Sequence, residues 1–450
     1  MSERKTIVIV GGNAAGPAAA AKAKRVDPDA DVLMIEQNEF ISTGTCELPY
    51  VVSGEVSSHE KIVYFDAASF EEKKGARVSV RSRVEEIDRK AREVTVRNLN
   101  DDSTWRQRYD KLILATGSVA KSVPPIPSDA TNVFRLKSVP HVVELKKYIE
   151  REKPESAVVI GSGYIGLETA EAFRKLDCDV KIVELTPEPM PQAEREIRKL
   201  VETTLEDEGV EFLGGVEDLE SFVEEGRIVR LKAGGKRFEA DVVVVSAGVA
   251  PETRLAQNAG LEVGDAGALK VDNAMRTSDP NIYAAGDCAE VVNAITLRPD
   301  YIPLASYARD GGYTAGENAA GGAARFRPVF RNASMRLFDR FYAGVGLTTA
   351  EAEKAGFAIA EAHATAFNRV HVMPGAGKVF GKIIFEKDSK RPLGGAFFGG
   401  REVSGYVDVV STLIAHKLPA TALAEAEYNY NPPLSPFLNL LTLLGKKAGA

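Results

Sequence analysis

Ala157-Val158-Val159-Ile160-Gly161-Ser162-Gly163-Tyr164-Ile165-Gly166 reads as a β-branched strand that runs into a turn built from three glycines. A helical pattern follows over Tyr164–Leu176, then a second short apolar strand over Asp179–Glu184 that ends on a carboxylate. In such a turn one glycine permits the tight bend, one lets a ligand approach the backbone, and one lets helix and strand pack closely. Free N–H groups at the start of the helix attract a pyrophosphate. Glu184 stands where a carboxylate accepts hydrogen bonds from a ribose diol. The unit predicts a dinucleotide-binding fold on a mostly parallel sheet.

The same order occurs earlier in the chain. Thr6–Val10 is a β-branched strand, Gly11-Gly12-Asn13-Ala14-Ala15-Gly16 the turn, Ala14–Arg25 an alanine-rich helix, and Asp31–Glu36 the next strand. Asn13 replaces the middle glycine, which weakens the motif, and Glu36 at the end of the following strand restores it. A chain with two such cradles holds two dinucleotides. If one is a flavin and the other a nicotinamide, hydride transfer between them is the natural chemistry.

Beyond the cradles, a third apolar strand, Asp241–Ser246, ends in Ala247-Gly248, and the proline-rich stretch Pro124–Pro127 suits a domain crossing. From about Asn332 short strands such as Lys378–Phe385 alternate with short helices, one opening with the capping pair Thr348 and Glu351. This last quarter reads as a separate α+β domain. At 450 residues the chain is too long for one core. A net charge of −7, with no dense basic stripe, excludes a nucleic-acid footprint. No apolar run is long enough to span a bilayer; the longest, Phe437–Leu444, reads as a buried helix face. The first strand starts too soon after the N-terminus to leave room for a signal peptide. Three dispersed cysteines, Cys46, Cys178 and Cys288, exclude a CxxC motif and a disulfide framework, and point to a reducing cytoplasm. No group of His, Cys and carboxylates has metal-ligand spacing.

Taken in order, the first cradle, Ala115-Thr116-Gly117, the second cradle and Ile282-Tyr283-Ala284-Ala285-Gly286-Asp287 resemble the flavin- and pyridine-nucleotide-dependent disulfide reductase superfamily along nearly the whole chain. The resemblance implies an α/β architecture of two Rossmann-like dinucleotide-binding domains, for FAD and for NAD, plus a C-terminal α+β dimerisation domain. The expected boundaries are 1–120 with 247–330 for FAD, 121–246 for NAD(P)H and 331–450 for dimerisation. It also implies cofactor contacts at Gly11, Gly12, Ala15, Gly16, Glu36, Ala115, Thr116, Gly117 and Asp287 for FAD. For NADH the matching set is Gly161, Gly163, Tyr164, Ile165, Gly166, Glu184 and Gly248. Glu184 favours NADH by repelling the extra phosphate of NADPH, with NADPH left open because only the residue type argues against it.

Ser42-Thr43-Gly44-Thr45-Cys46-Glu47-Leu48-Pro49-Tyr50 carries a lone cysteine and resembles the single-cysteine branch of that superfamily. That branch contains coenzyme A disulfide reductases, NADH-dependent persulfide or sulfur reductases, and NADH oxidases and peroxidases. Glu47 replaces the branch's glycine, and its charge is expected to raise the thiol pKa. Cys178 and Cys288 read as packing residues. Ala14 stands where the oxidases and peroxidases carry a histidine, which argues against peroxide chemistry. Lys22 and Arg25 share a helix face and match positions that approach coenzyme A phosphates. Tyr430-Asn431-Pro432-Pro433 matches a motif whose tyrosine reaches across a homodimer to the other subunit's cysteine. A second tyrosine of those reductases has no counterpart, His371 and Met373 standing near its place. The reading is therefore an NAD(P)H-dependent reductase of a low-molecular-weight disulfide, persulfide or polysulfide, with coenzyme A a candidate carrier. The alternatives are an NADH oxidase and an FAD/NAD electron-transfer subunit of a larger complex.

Overall fold

The computed structural model describes residues 4–450, and its two parallel sheets grow from the two glycine turns. The first sheet has the order Ile282–Ala284, Lys111–Leu114, Thr6–Val10, Asp31–Ile35, Arg77–Ser79, with every neighbouring pair parallel. The second repeats it as Val133–Phe134, Val242–Val245, Ser156–Ile160, Asp179–Val183, Val210–Leu213. Their central strands are valine and isoleucine runs buried on both faces, as parallel sheets covered by helices require. Each sheet carries a three-stranded antiparallel meander at the corresponding point of the chain, Ser82–Arg108 in the first and Glu220–Glu239 in the second.

The chain passes between the sheets on a two-stranded ribbon, Ser118–Ala120 going out and Val249–Pro251 coming back. The crossing thus lies just before the proline-rich stretch. Pro124–Pro127 lies beyond it, outside any strand. The last quarter is an antiparallel sheet of order Asn332–Leu337, Arg340–Gly346, Pro392–Gly399, Lys378–Glu386, Ile359–Phe367. Helices Val403–His416 and Leu440–Gly449 pack on it. Met335, Leu337, Tyr342, Ala396 and Phe398 of this sheet share a core with the second parallel sheet and with Leu48, Val51 and Val52 beside Cys46. The capping pair Thr348 and Glu351 forms in both directions.

One expectation fails in part. The helix near the C-terminus starts at Leu440, because the Asn439 side chain caps it by accepting from the Leu441 N–H at 2.9 Å. Leu440, Leu441 and Leu444 are buried, but Phe437 lies outside the helix and is 87% exposed. A packing feature absent from the sequence reading lies behind the first cradle. Helix Ala305–Ala320 meets helix Ala15–Val26 backbone to backbone, and a Cβ on Gly312 or Gly316 would sit 2.3 Å and 2.2 Å from the Ala15 and Ala19 carbonyl oxygens. No helix among the described residues is long and apolar enough to cross a membrane.

Candidate active site

Both cradles obey one geometry. Gly11 and Gly161 take φ of +109° and +104°, the left-handed region that L side chains avoid. A Cβ on Gly11 would fall 2.1 Å from the Ala115 carbonyl oxygen, and one on Gly161 2.6 Å from that of Ser246. Gly16 and Gly166 press against Gly11 and Gly161 in turn, at 1.8 Å and 2.0 Å for the same imagined atom. Each carboxylate reaches back across its turn. Glu36 accepts from the Gly12 N–H at 2.7 Å and from both nitrogens of Asn38. Glu184 accepts from the Ser162 N–H and hydroxyl, both at 2.8 Å. Burial pushes the Glu36 carboxyl above its ordinary pKa, against the hydrogen bonds that lower it.

The cradles fit dinucleotides by a test the local chemistry supplies. Helices Ala15–Val26 and Tyr164–Arg174 begin at Ala14 and Gly163 with no side-chain cap and no acid in the first turn. Their first N–H groups and the positive end of each helix dipole are free for an anion. Elsewhere Asp66, Thr348 and Asn439 cap their helices with side chains. At Gly163 a Cβ would meet nothing within 4 Å, so the glycine leaves open space where a phosphate can approach. Ile165 and Leu185 are exposed beside it, and Gly248 has a φ of +88° at the end of the neighbouring strand.

Ala115-Thr116-Gly117 joins the first sheet to the ribbon. Ala115 N–H donates to the Val10 carbonyl at 2.8 Å, and the Thr116 hydroxyl to that of Glu252 at 2.7 Å. Asp287 accepts from the Ser118 hydroxyl at 2.7 Å and lies 3.6 Å from the Lys137 ammonium. The Tyr301 hydroxyl is buried beside Ser118 and Asp287 with no well-formed hydrogen bond among the described residues. An orphaned polar atom beside Asp287 is what a site shaped for a polyhydroxyl chain presents.

Cys46 sits on the single turn Thr45–Glu47 ahead of helix Leu48–Val52, and it is exposed while Cys178 and Cys288 are buried. The sulfurs of the buried pair lie against backbone carbonyls, Pro154 for Cys178 and Leu114 and Ala285 for Cys288. Although the Cys46 side chain is accessible, the protein around it displaces enough water to push its thiol pKa up. The charges of Glu47 and Glu168 push the same way, and Lys137 opposes them. Glu47 turns aside and accepts from the Tyr64 hydroxyl at 2.7 Å.

Three neighbours of Cys46 escaped the sequence reading of roles. Tyr50 donates to Glu168 of the second cradle's helix at 3.2 Å. The Arg336 guanidinium from the C-terminal sheet lies 4.7 Å from the Tyr50 ring centroid. Glu168 is pushed up to about 7, chiefly by burial. The motif around Cys46 includes Tyr50, but no spacing rule ties it to Glu168.

The remaining predicted residues are not gathered here. Lys22 is paired with Glu317 at 2.8 Å, so an incoming phosphate has to compete for it, whereas Arg25 is exposed with no ion pair among the described residues. Tyr430 is 53% exposed on a C-terminal loop, edge-on to Phe437 at 5.6 Å. His371 is exposed. No cluster among the described residues has the composition to hold a metal.

Comparison with known proteins covers almost the whole chain. The family profile described as pyridine nucleotide-disulphide oxidoreductase matches residues 5–312, and the dimerisation domain of that family matches residues 334–440. The NAD(P)H sulfur oxidoreductase (CoA-dependent) of Pyrococcus furiosus is 31% identical over 451 residues, covering 99% of both chains. The NADH oxidase of Methanocaldococcus jannaschii is 31% identical over 443 residues, covering 98% of both. The solved structure of an NAD-dependent persulfide reductase from A. fulgidus is 35% identical with a TM-score of 0.94, covering 99% of this chain and 83% of that one.

Proposed function

The chain belongs to the pyridine nucleotide-disulphide oxidoreductase family, and from that premise we propose that it is an NADH-dependent reductase of low-molecular-weight disulfides, persulfides or polysulfides. The observation that carries the reading is Cys46, the one exposed cysteine, standing on the turn within electrostatic reach of Asp287 of the first unit and Glu168 of the second. In this reading residues 1–120 with 247–330 hold FAD, 121–246 hold NADH, and 331–450 join two copies. FAD held in the first cradle would supply two-electron transfer between NADH and sulfur.

The chain's own groups then divide the work. Gly11, Gly12, Ala15 and Gly16 offer backbone to one pyrophosphate, Glu36 takes its ribose, and Ala115-Thr116-Gly117 with Asp287 close the site. Gly161, Gly163, Tyr164, Ile165, Gly166 and Gly248 do the same for the nicotinamide cofactor, with Glu184 selecting NADH. Cys46 as thiolate attacks the disulfide of the substrate, expels one thiol and holds the other as a mixed disulfide. The A. fulgidus and P. furiosus relatives support sulfur as the acceptor and coenzyme A as its carrier. In a homodimer, Tyr430 of one copy reaches Cys46 of the other and donates to the leaving sulfur. Arg25, and Lys22 once released from Glu317, meet the carrier's phosphates. The relative named NADH oxidase keeps oxygen as the second reading.

Anaerobic turnover of NADH with coenzyme A disulfide, and with polysulfide, tests this. Cys46→Ser is expected to lose disulfide reduction by about 100-fold or more while NADH still bleaches the flavin. Full activity in that variant, or oxygen consumption that exceeds disulfide turnover and ignores Cys46, would overturn the sulfur relay.

A further inference from the structure

Around Tyr50 the three parts of the molecule meet in a set of charges that is almost balanced. Arg336 from the C-terminal sheet donates to both oxygens of Glu55, at 2.8 Å and 2.6 Å, and lies 2.8 Å from Glu171. Lys175 reaches the same two carboxylates at 2.7 Å each. Glu171 also accepts from the Phe338 N–H at 2.7 Å. Two cations therefore meet two anions, and their attraction is spent. Glu168, one turn before Glu171 on the same helix, is a third carboxylate. Among the described residues the Tyr50 hydroxyl is its one hydrogen-bond donor.

A partly buried carboxylate whose donor is a neutral phenol is poorly compensated when ionised. Tyr50 lies four residues beyond Cys46, one turn along a continuous helical segment, and the charge of its partner Glu168 reaches the sulfur. We propose that Glu168 and Tyr50 form a proton-holding pair through which the nicotinamide half of the molecule sets how readily Cys46 ionises. Glu168 is a positioning residue in this role, acting on the sulfur through its charge. The inference rests on the reading of Cys46 as the redox sulfur.

The groups that face Glu168 are Tyr50 from the helix after Cys46, Arg336 from the C-terminal sheet, and Glu171 from its own helix. The sheet strands beneath that helix turn Ala157, Val159, Val180, Ile182, Val242 and Val244 into the core. Cys46 in turn feels Glu47, Glu168, Lys137 and Asp287. The sign follows from the charges. Below about pH 7 Glu168 is neutral and leaves the thiol easier to ionise; above it the carboxylate repels the thiolate and holds the proton on sulfur. Because Glu168 ionises below the range in which the raised Cys46 thiol does, the thiol loses its proton against a carboxylate that is already charged.

The test is the rate of Cys46 alkylation by iodoacetamide against pH in the holoenzyme, followed by intact mass. Cys178 and Cys288 are buried and do not compete. Glu168→Gln is expected to give a single-proton curve displaced to lower pH, with alkylation at pH 8 faster by roughly three- to ten-fold, the equivalent of half to one pH unit. Tyr50→Phe removes the hydrogen bond that favours ionised Glu168, so Glu168 stays neutral to higher pH and the alkylation curve is displaced in the same direction as in Glu168→Gln, by less. This second variant keeps the test open if the first does not fold. Curves that superimpose on the parent for either folded variant overturn the coupling. The result is separate from the Cys46→Ser turnover assay, which can fail while the alkylation coupling stands.

Discussion

At Gly12 of the first cradle a Cβ would meet the Ile41 Cγ2 at 2.8 Å, whereas the matching position of the second cradle carries a side chain, Ser162, whose hydroxyl is put to use on Glu184. Glu36 is 8% exposed, and helix Ala15–Val26 is backed by the helix containing Gly312 and Gly316. By contrast Glu184, at the position matching Glu36, is only half-buried. Buried contacts around a ligand lower its off-rate, and an open rim lets it leave each cycle. On the reading proposed above, the closer packing of the first cradle suits a cofactor that stays, and the second one that exchanges.

Breaking that contrast should give effects of very different size. Gly11→Ala drives a Cβ into the Ala115 carbonyl at a φ of +109°, at a cost on the order of 3 kcal/mol, and is expected to lose both flavin and thermal stability. Gly161→Ala makes the corresponding clash with Ser246, yet should purify with flavin bound and fail to be reduced by NADH. Absorbance of bound flavin and Tm read the two outcomes, and equal flavin loss in both variants would dissolve the division of labour. A smaller change is expected from Glu184→Ala combined with Leu185→Arg. Losing the ribose acceptor should lower kcat/KM for NADH by about ten-fold, worth ~1.4 kcal/mol, while NADPH gains. Kinetics with both nucleotides check this, and an unchanged ratio would remove Glu184 as the selector. The smallest structural effect belongs to Gly163→Ala. Its φ of −72° and open surroundings predict a stability change of at most about 1 kcal/mol, with KM for NADH raised and flavin content untouched. An unchanged KM would mean that no phosphate approaches there.

The cradles were legible because their physics is local. A strand, a turn of glycines and a helix lie within a dozen residues, and Glu36 and Glu184 follow one strand later. Cys46 was legible by count and by its place behind the first cradle. The loop at Phe437 was misread because an apolar run carries no mark of where a helix starts, and Asn439 set that point through its own hydrogen bond. Lys22 illustrates a different limit. It lies on helix Ala15–Val26, but Glu317 arrives from 295 positions later in the chain and takes its charge.

From the amino-acid order alone came two dinucleotide folds, a third domain of another texture and a lone cysteine behind the first cradle, since periodicity and glycine placement act over short stretches. Only the tertiary structure decided which groups tune that sulfur. Tyr50 and Glu168 are 118 residues apart, and Arg336 and Glu55 are 281 apart. No pattern along a chain records which distant charges cancel and which one is left over. Folding brings two cations to two carboxylates around Tyr50 and leaves Glu168 to a phenol, and it is the packing of three units at one junction that makes that choice.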